Sequence, residues 1–176
     1  MANLSLAKGL EPIAGSYSSN MIFRFPVKAS YTGKRYSPVY IDSAGRASGS
    51  ASSTRLIGIQ MGDFAYKSTT GAQVVASSSA VGDFIEVLCD PNVVFYAQVN
   101  TGALADPYTT AASAGAFDLD LATAGGEFID SATSTLDEVK IIAPAHEPGT
   151  GAESAVGANM KGFARFNHSK HAFGGL

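Results

Sequence analysis

Val81-Gly82-Asp83-Phe84-Ile85-Glu86-Val87-Leu88-Cys89-Asp90-Pro91-Asn92-Val93-Val94-Phe95-Tyr96-Ala97-Gln98-Val99-Asn100 is the stretch on which the fold turns. Phe84 to Cys89 is a run of strand formers, Asp90-Pro91-Asn92 is turn chemistry, and Val93 to Val99 is a second β-rich run. Pro91 presets φ for a turn, and the Asp90 carboxylate is placed to bond back to the backbone. The default expectation is a hairpin. The two-residue period puts Ile85, Val87 and Cys89 on one face of the first strand. It puts Val93, Phe95, Ala97 and Val99 on one face of the second.

The same period recurs outward from this centre. Before it lie Met21–Val27 (MIFRFPV), Leu56–Met61 (LIGIQM), Phe64-Ala65-Tyr66 and the short run ending at Val75. Pro26 removes a backbone donor, which confines the first of these to a sheet edge. After it come Phe117-Asp118-Leu119-Asp120-Leu121, with Phe117, Leu119 and Leu121 inward, then Leu136–Ile142 and Phe163–Phe166. Ala143–Asn159, rich in Pro and Gly, is expected to be loop, as is Asn100–Ala116. Roughly eight or nine short strands with turns between them, and no helical period, predict an all-β chain. The expected architecture is a single β-barrel or sandwich domain of short antiparallel strands with an extended N-terminal arm. Residues 1–50 would hold the arm and edge strands, and 51–176 the barrel. The boundary is set by the Gly/Ser/Ala-rich stretch Ala44–Thr54.

Composition narrows the function classes. The 176 residues are 45% hydrophobic and only 15% charged, which argues against a freely disordered chain. The net charge of −3 supplies no field for nucleic acid, so no direct nucleic-acid partner is expected. No apolar run is long enough to span a bilayer as a helix, and the first residues lack a signal-peptide pattern. No membrane partner and synthesis in a cytoplasm are the expectations. One cysteine excludes an internal disulfide.

Leu4, Leu6, Leu10, Ile13 and Tyr17 are apolar residues separated by Gly, Pro, Ser and Asn, and Phe23 and Phe25 follow them. A merely solvated tail does not need such side chains, so the segment reads as a partner-binding arm. Tyr31, Tyr36 and Tyr40, interleaved with Lys28, Lys34 and Arg35, form a basic aromatic patch. Tyr31, Arg35 and Tyr36 are the candidate subunit contacts.

No constellation for catalysis assembles. His168 and His171 lack further ligands for a closed metal site. Cys89 falls on an apolar strand face, where a thiol is structural. Asp118 and Asp120 share one strand face about 7 Å apart, which reads as a solvated face. A hydrolase built on Asp118, Asp120 or His146 is the weakest reading. No catalytic residue, metal or cofactor is expected.

From Leu56 onward the order of features resembles the small decoration (cement) proteins of tailed bacteriophage capsids. The residues that carry the likeness begin with Gly62-Asp63 after a strand, then Val81-Gly82-Asp83 and the D-P-x-x-x-F-x-x-Q pattern of Asp90 to Gln98. They continue with the Ala/Gly-rich loop, the Asp-Leu-Asp-Leu strand, Ser134-Thr135-Leu136-Asp137, Phe166-Asn167-His168 and Phe173-Gly174. The sequence departs at Lys140–Pro144, where similar proteins run into a more regular strand. The resemblance implies a homotrimer on the outer surface of a virion capsid, assembled in the host cytoplasm. It would bridge neighbouring major capsid protein subunits through the apolar arm and hold the shell against packed genome. The alternative is a carbohydrate- or receptor-binding β-sandwich of a virion, with Tyr31, Tyr36, Tyr40 and Tyr108 as a stacking platform.

Overall fold

The structure is a computed structural model and describes residues 9–49, 55–99, 116–120, 128–130, 138–146, 151–155 and 159–173; within 116–120 and 128–130 the side chains described are those of Leu119 and Ile129. The expectations at Leu4, Leu6, Tyr108, Phe117, Leu121 and the Asp118 and Asp120 carboxylates lie outside these residues. The chain is all-β. Among the described residues there are thirteen strands and two short 3-10 turns, with no α-helix. The strands are β1 (Glu11–Pro12), β2 (Ile22–Pro26), β3 (Pro38–Ile41), β4 (Ala47–Ser48), β5 (Arg55–Gln60), β6 (Phe64–Tyr66) and β7 (Gln73–Val75). They continue with β8 (Phe84–Leu88), β9 (Val94–Gln98), β10 (Ala116–Asp120), β11 (Phe128–Asp130), β12 (Val139–Pro144) and β13 (Lys161–Phe166).

Two antiparallel sheets result. The first runs β1-β9-β13-β12-β10-β11, and the second runs β4-β3-β5-β8-β6-β7 with β2 on the free side of β8. The first sheet curls so strongly, into a half-barrel, that Ile129 of β11 bridges Val99 beyond the end of β9. Its inner face collects Phe95, Ala97, Val99, Leu119, Ile129, Val139, Ile141, Ala164 and Phe166, all buried in one cluster. A second cluster, with Val27, Tyr31, Val39, Ile57, Ala65, Ile85, Val87 and Cys89, lies against the second sheet.

The expected faces of β8 and β9 are as the two-residue period requires. Ile85, Val87 and Cys89 share the second core, while Val93, Phe95, Ala97 and Val99 share the first. The expected hairpin is not formed. β8 pairs with β2, β5 and β6, whereas β9 pairs with β1 and β13. The turn between them does have the predicted chemistry: Asp90 Oδ1 accepts the Asn92 N–H at 2.9 Å, and the Val93 N–H reaches the Asp90 carbonyl at 3.3 Å. It works as an arch that carries the chain from one sheet to the other. Each strand has an apolar face for a different core, and pairing them side by side would leave one core without its wall.

The N-terminal segment is also corrected. Glu11 and Pro12 pair with Tyr96 and Phe95, the Ile13 N–H reaches the Val94 carbonyl at 2.8 Å, and Ser16 Oγ donates to the same carbonyl. Residues 11–16 therefore lie along β9 of their own chain instead of reaching away as an arm. Across the expected boundary at residue 50, β3 pairs with β5 and β2 with β8. The expected loop at Ala143 is likewise still strand, since β12 pairs through Pro144 opposite Gly162.

β5 serves both cores because it carries a bulge. Val39 pairs with Gly58 and Tyr40 with Leu56, so Ile57 is the extra residue. Leu56 and Ile59 then face the first core and Ile57 the second. Gly58 makes this close approach feasible. Its φ is +151°, and a Cβ there would collide with the Leu88 carbonyl oxygen of β8.

Candidate functional site

On β8, every second residue points away from the second core. At the Leu88 end that face is covered, since Leu88 lies in the first core and Ile22 packs against it. Toward the Phe84 end the cover stops. Pairing places Phe64 opposite Val75, Tyr66 opposite Gln73 and Phe84, and Arg24 opposite Glu86. Paired residues share a face, so these side chains form one continuous strip. Ala65, between Phe64 and Tyr66, turns the other way and is fully buried in the second core.

The strip is ordered by stacking. The Tyr66 and Phe84 rings lie 5.3 Å apart and nearly parallel, at 15°. The Arg24 guanidinium sits 4.8 Å from the centre of the Phe84 ring and 3.6 Å, Nε to Oε1, from Glu86. Such contacts contribute about 0.5–1.5 kcal/mol each. Their larger effect is to hold the rings in one geometry, which lowers the entropy cost of binding through them. At the outer end Phe64 and Val75 remain 44% and 59% exposed. Phe23, Val81 and Ile142 are comparably exposed elsewhere; what sets this end apart is that two such side chains are paired across strands beside the Tyr66–Phe84 stack.

Asp83 fixes the strip from below. Its carboxylate is buried and accepts from the Ala80 N–H at 2.8 Å, Lys67 Nζ at 3.0 Å and the Ser68 N–H at 3.2 Å. It thereby ties the turn after β6 to the loop before β8. The Ala80 N–H, with Lys67 and the Ser68 N–H, holds its pKa below the ordinary carboxylate value against the opposing effect of burial.

The expected contact residues are scattered relative to this strip. Arg35 and Tyr36 lie beside it: the Arg35 N–H reaches Asp63, the residue before Phe64, at 3.2 Å. Its guanidinium covers the Tyr36 ring at 4.6 Å and donates to Tyr36 Oη at 2.7 Å. Tyr36 holds a positive φ of 66°, and its backbone joins Gln60 to Leu10. Phe23 is exposed, but it is paired with Val87 and so lies on the other face of β2. Phe25 is half-buried against the second core, and Tyr17 packs on the first. Leu10 and Tyr31 are corrected outright, because both are core residues with no surface left to offer a neighbour. Tyr40 is equally buried, so Tyr31 and Tyr40 supply no stacking platform for a sugar. The signal for Phe64, Tyr66 and Phe84 was in the sequence, as aromatic residues at strand spacing. Only the register of β6 on β8 brings them together.

Reactive groups stay apart. Cys89 is buried, and burial pushes its thiol up to about 12. His146 is exposed and pairs across a bridge with Glu153. An open pocket of about 140 Å³ is lined by Lys28, Ser30, Tyr31, Thr32, Ser48 and Gly49, with neither carboxylate nor imidazole in its wall. Among the described residues no three His, Cys, Asp or Glu side chains gather as a metal set, and no helix is long and apolar enough to cross a membrane. Set against protein-family models, curated proteins and solved structures, the chain matches none.

Proposed function

We propose that the chain is a virion structural protein: a homotrimeric decoration protein that lies on the outside of a tailed-phage capsid and clamps neighbouring major capsid protein subunits. The observation that carries this reading is the strip of Phe64, Val75, Tyr66 and Phe84, where exposed apolar side chains adjoin an ordered ring stack. Two antiparallel sheets, tied by β5 side chains that enter both cores, make a stiff support for it. A stiff, ring-bearing surface repeated on every trimer suits a lattice. Modest contacts summed over linked sites hold a shell tightly, and whatever binds only the assembled state stabilises it by mass action. The sequence likeness to decoration proteins points the same way. The working part is the strip on the second sheet, and residues 11–16 serve the chain's own sheet.

The test is binding of the purified chain to undecorated capsids of the virus that carries its gene, with its mass measured by light scattering. A threefold mass and saturable occupancy are expected, and the double variant Phe64→Ser, Val75→Ser should bind at least tenfold more weakly while folding normally. Full occupancy by that variant would remove the strip from the function. A monomer with no affinity for capsids would end the decoration reading.

A further inference from the structure

We infer that residues 167–173 form an acid-released clasp between the two sheets, pinned by the His171 ring. The segment leaves β13 of the first sheet and crosses to β5 of the second. The Asn167 N–H donates to the Glu138 carbonyl at 2.9 Å, the His171 N–H to the Asn167 carbonyl at 3.1 Å, and the Ala172 N–H to the Leu56 carbonyl at 2.8 Å. Leu56 and His171 form a parallel bridge. Phe166 belongs to the first core, while Ala172 and Phe173 pack on the second. A few residues thus fasten together two layers that are joined elsewhere by β5 and the Asp90 arch.

The pin is a neutral imidazole. His171 is buried, with its ring centre 5.0 Å from that of Phe166 and 5.9 Å from that of Phe173. Its Nδ1 accepts the Phe173 N–H at 3.2 Å, which requires that nitrogen to be unprotonated. The proton therefore sits on Nε2, which is buried and makes no hydrogen bond of good geometry. A second proton can only go to Nδ1, where it would face the Phe173 N–H and break that bond. It would also leave a cation between two phenyl rings with no carboxylate bonded to it.

The groups acting on the ring come from four sides. The arch contributes Asp90, and β5 contributes the Ile57 carbonyl; both favour the cation. The segment itself contributes His168, which opposes it, and β13 presents the apolar Phe166. Burial outweighs them all and pulls the imidazole down from 6.5 to about 4. Above pH 6.5 the ring is neutral whether the clasp is open or shut, and pH has no effect. Between 6.5 and about 4 only the open form takes up the proton, so the open-to-closed ratio rises by up to about tenfold per pH unit. Below about 4 it levels off.

Amide hydrogen exchange on the full chain tests this, with rates corrected for the chemical effect of pH. Ala172 and Phe173 report the clasp, and Cys89, whose N–H bonds the Met21 carbonyl at 2.9 Å, reports opening of the body. Protection at Ala172 and Phe173 should fall by up to about tenfold per unit below pH 6.5 while that at Cys89 holds. His171→Phe keeps a ring in place and removes the titration, so its Ala172 amide, which bonds the Leu56 carbonyl and not the ring, should show no such slope. An equal slope in His171→Phe would overturn the assignment. So would an imidazole signal for His171 titrating near 6.5 in the unaltered protein, which requires no variant to fold.

Discussion

The two sheets treat their apolar residues differently. The half-barrel turns Phe95, Ala97, Val99, Val139, Ile141, Ala164 and Phe166 into one core and leaves Ile142 of β12 exposed on its outer face. The second sheet gives one face to its own core and divides the other, with Leu88 under the first core and Phe84, Tyr66 and Phe64 outside it. A sheet that closes on itself buries its inner face whole. A sheet shared between two cores runs past its cover, and what extends beyond is free to hold something else.

The largest expected effect tests the closed side. Phe95→Ala empties a fully buried ring site packed 5.1 Å from Phe166, and should lower the free energy of urea unfolding by about 4 kcal/mol. The same change at Phe64, on the open strip, should cost less than about 1 kcal/mol. Equal losses would mean that the strip is core and the contrast is false.

Next comes the shared strand. Gly58→Ala must either push β5 off the Leu88 carbonyl or undo the bulge, and should cost about 3 kcal/mol through backbone strain and overpacking. It should also loosen both cores together, seen as lost amide protection at Val87 and Phe95 alike. Loss confined to one sheet would show that β5 does not couple them.

The smallest effect concerns the support of the open strip. The Asp83 carboxyl is more acidic folded than unfolded, so its stabilising contribution is present above the ordinary carboxylate value of 3.8 and is lost as pH falls through and below it. Asp83→Asn should lower the unfolding midpoint at pH 7 and shrink the gap from the unaltered protein in acid. A gap that stays constant with pH would mean that the charge plays no part.

How much of this could be read beforehand divides along the same line. Alternation grouped the faces of β8 and β9 as the two cores use them, and placed Pro26 on a strand that, among the described residues, is paired along one side only. It also put Cys89 indoors. These properties belong to one strand at a time. What escaped belongs to pairs. Asp90-Pro91-Asn92 makes the same local turn whether the chain doubles back or crosses over, so the hairpin and the arch look alike in sequence. Two-residue strands such as β1 and β4 have no alternation to detect, which left Leu10, Ile13 and Tyr17 looking like an arm. Tyr31 and Tyr40 looked like surface because lysines and an arginine flank them, yet the sheet turns their rings inward. The strip itself depends on Tyr66 meeting Phe84, a single residue of register that no composition announces.

The arch after Leu88 has a consequence for how the molecule is made. β8 is finished in one layer and β9 at once begins another, while Ser16 waits for Val94, 78 positions further on, and Leu56 waits for Ala172. Neither layer can be completed before the other is well under way. Assembly during synthesis is therefore held back until nearly all the described chain has emerged, and the body should form late, slowly and in one cooperative step.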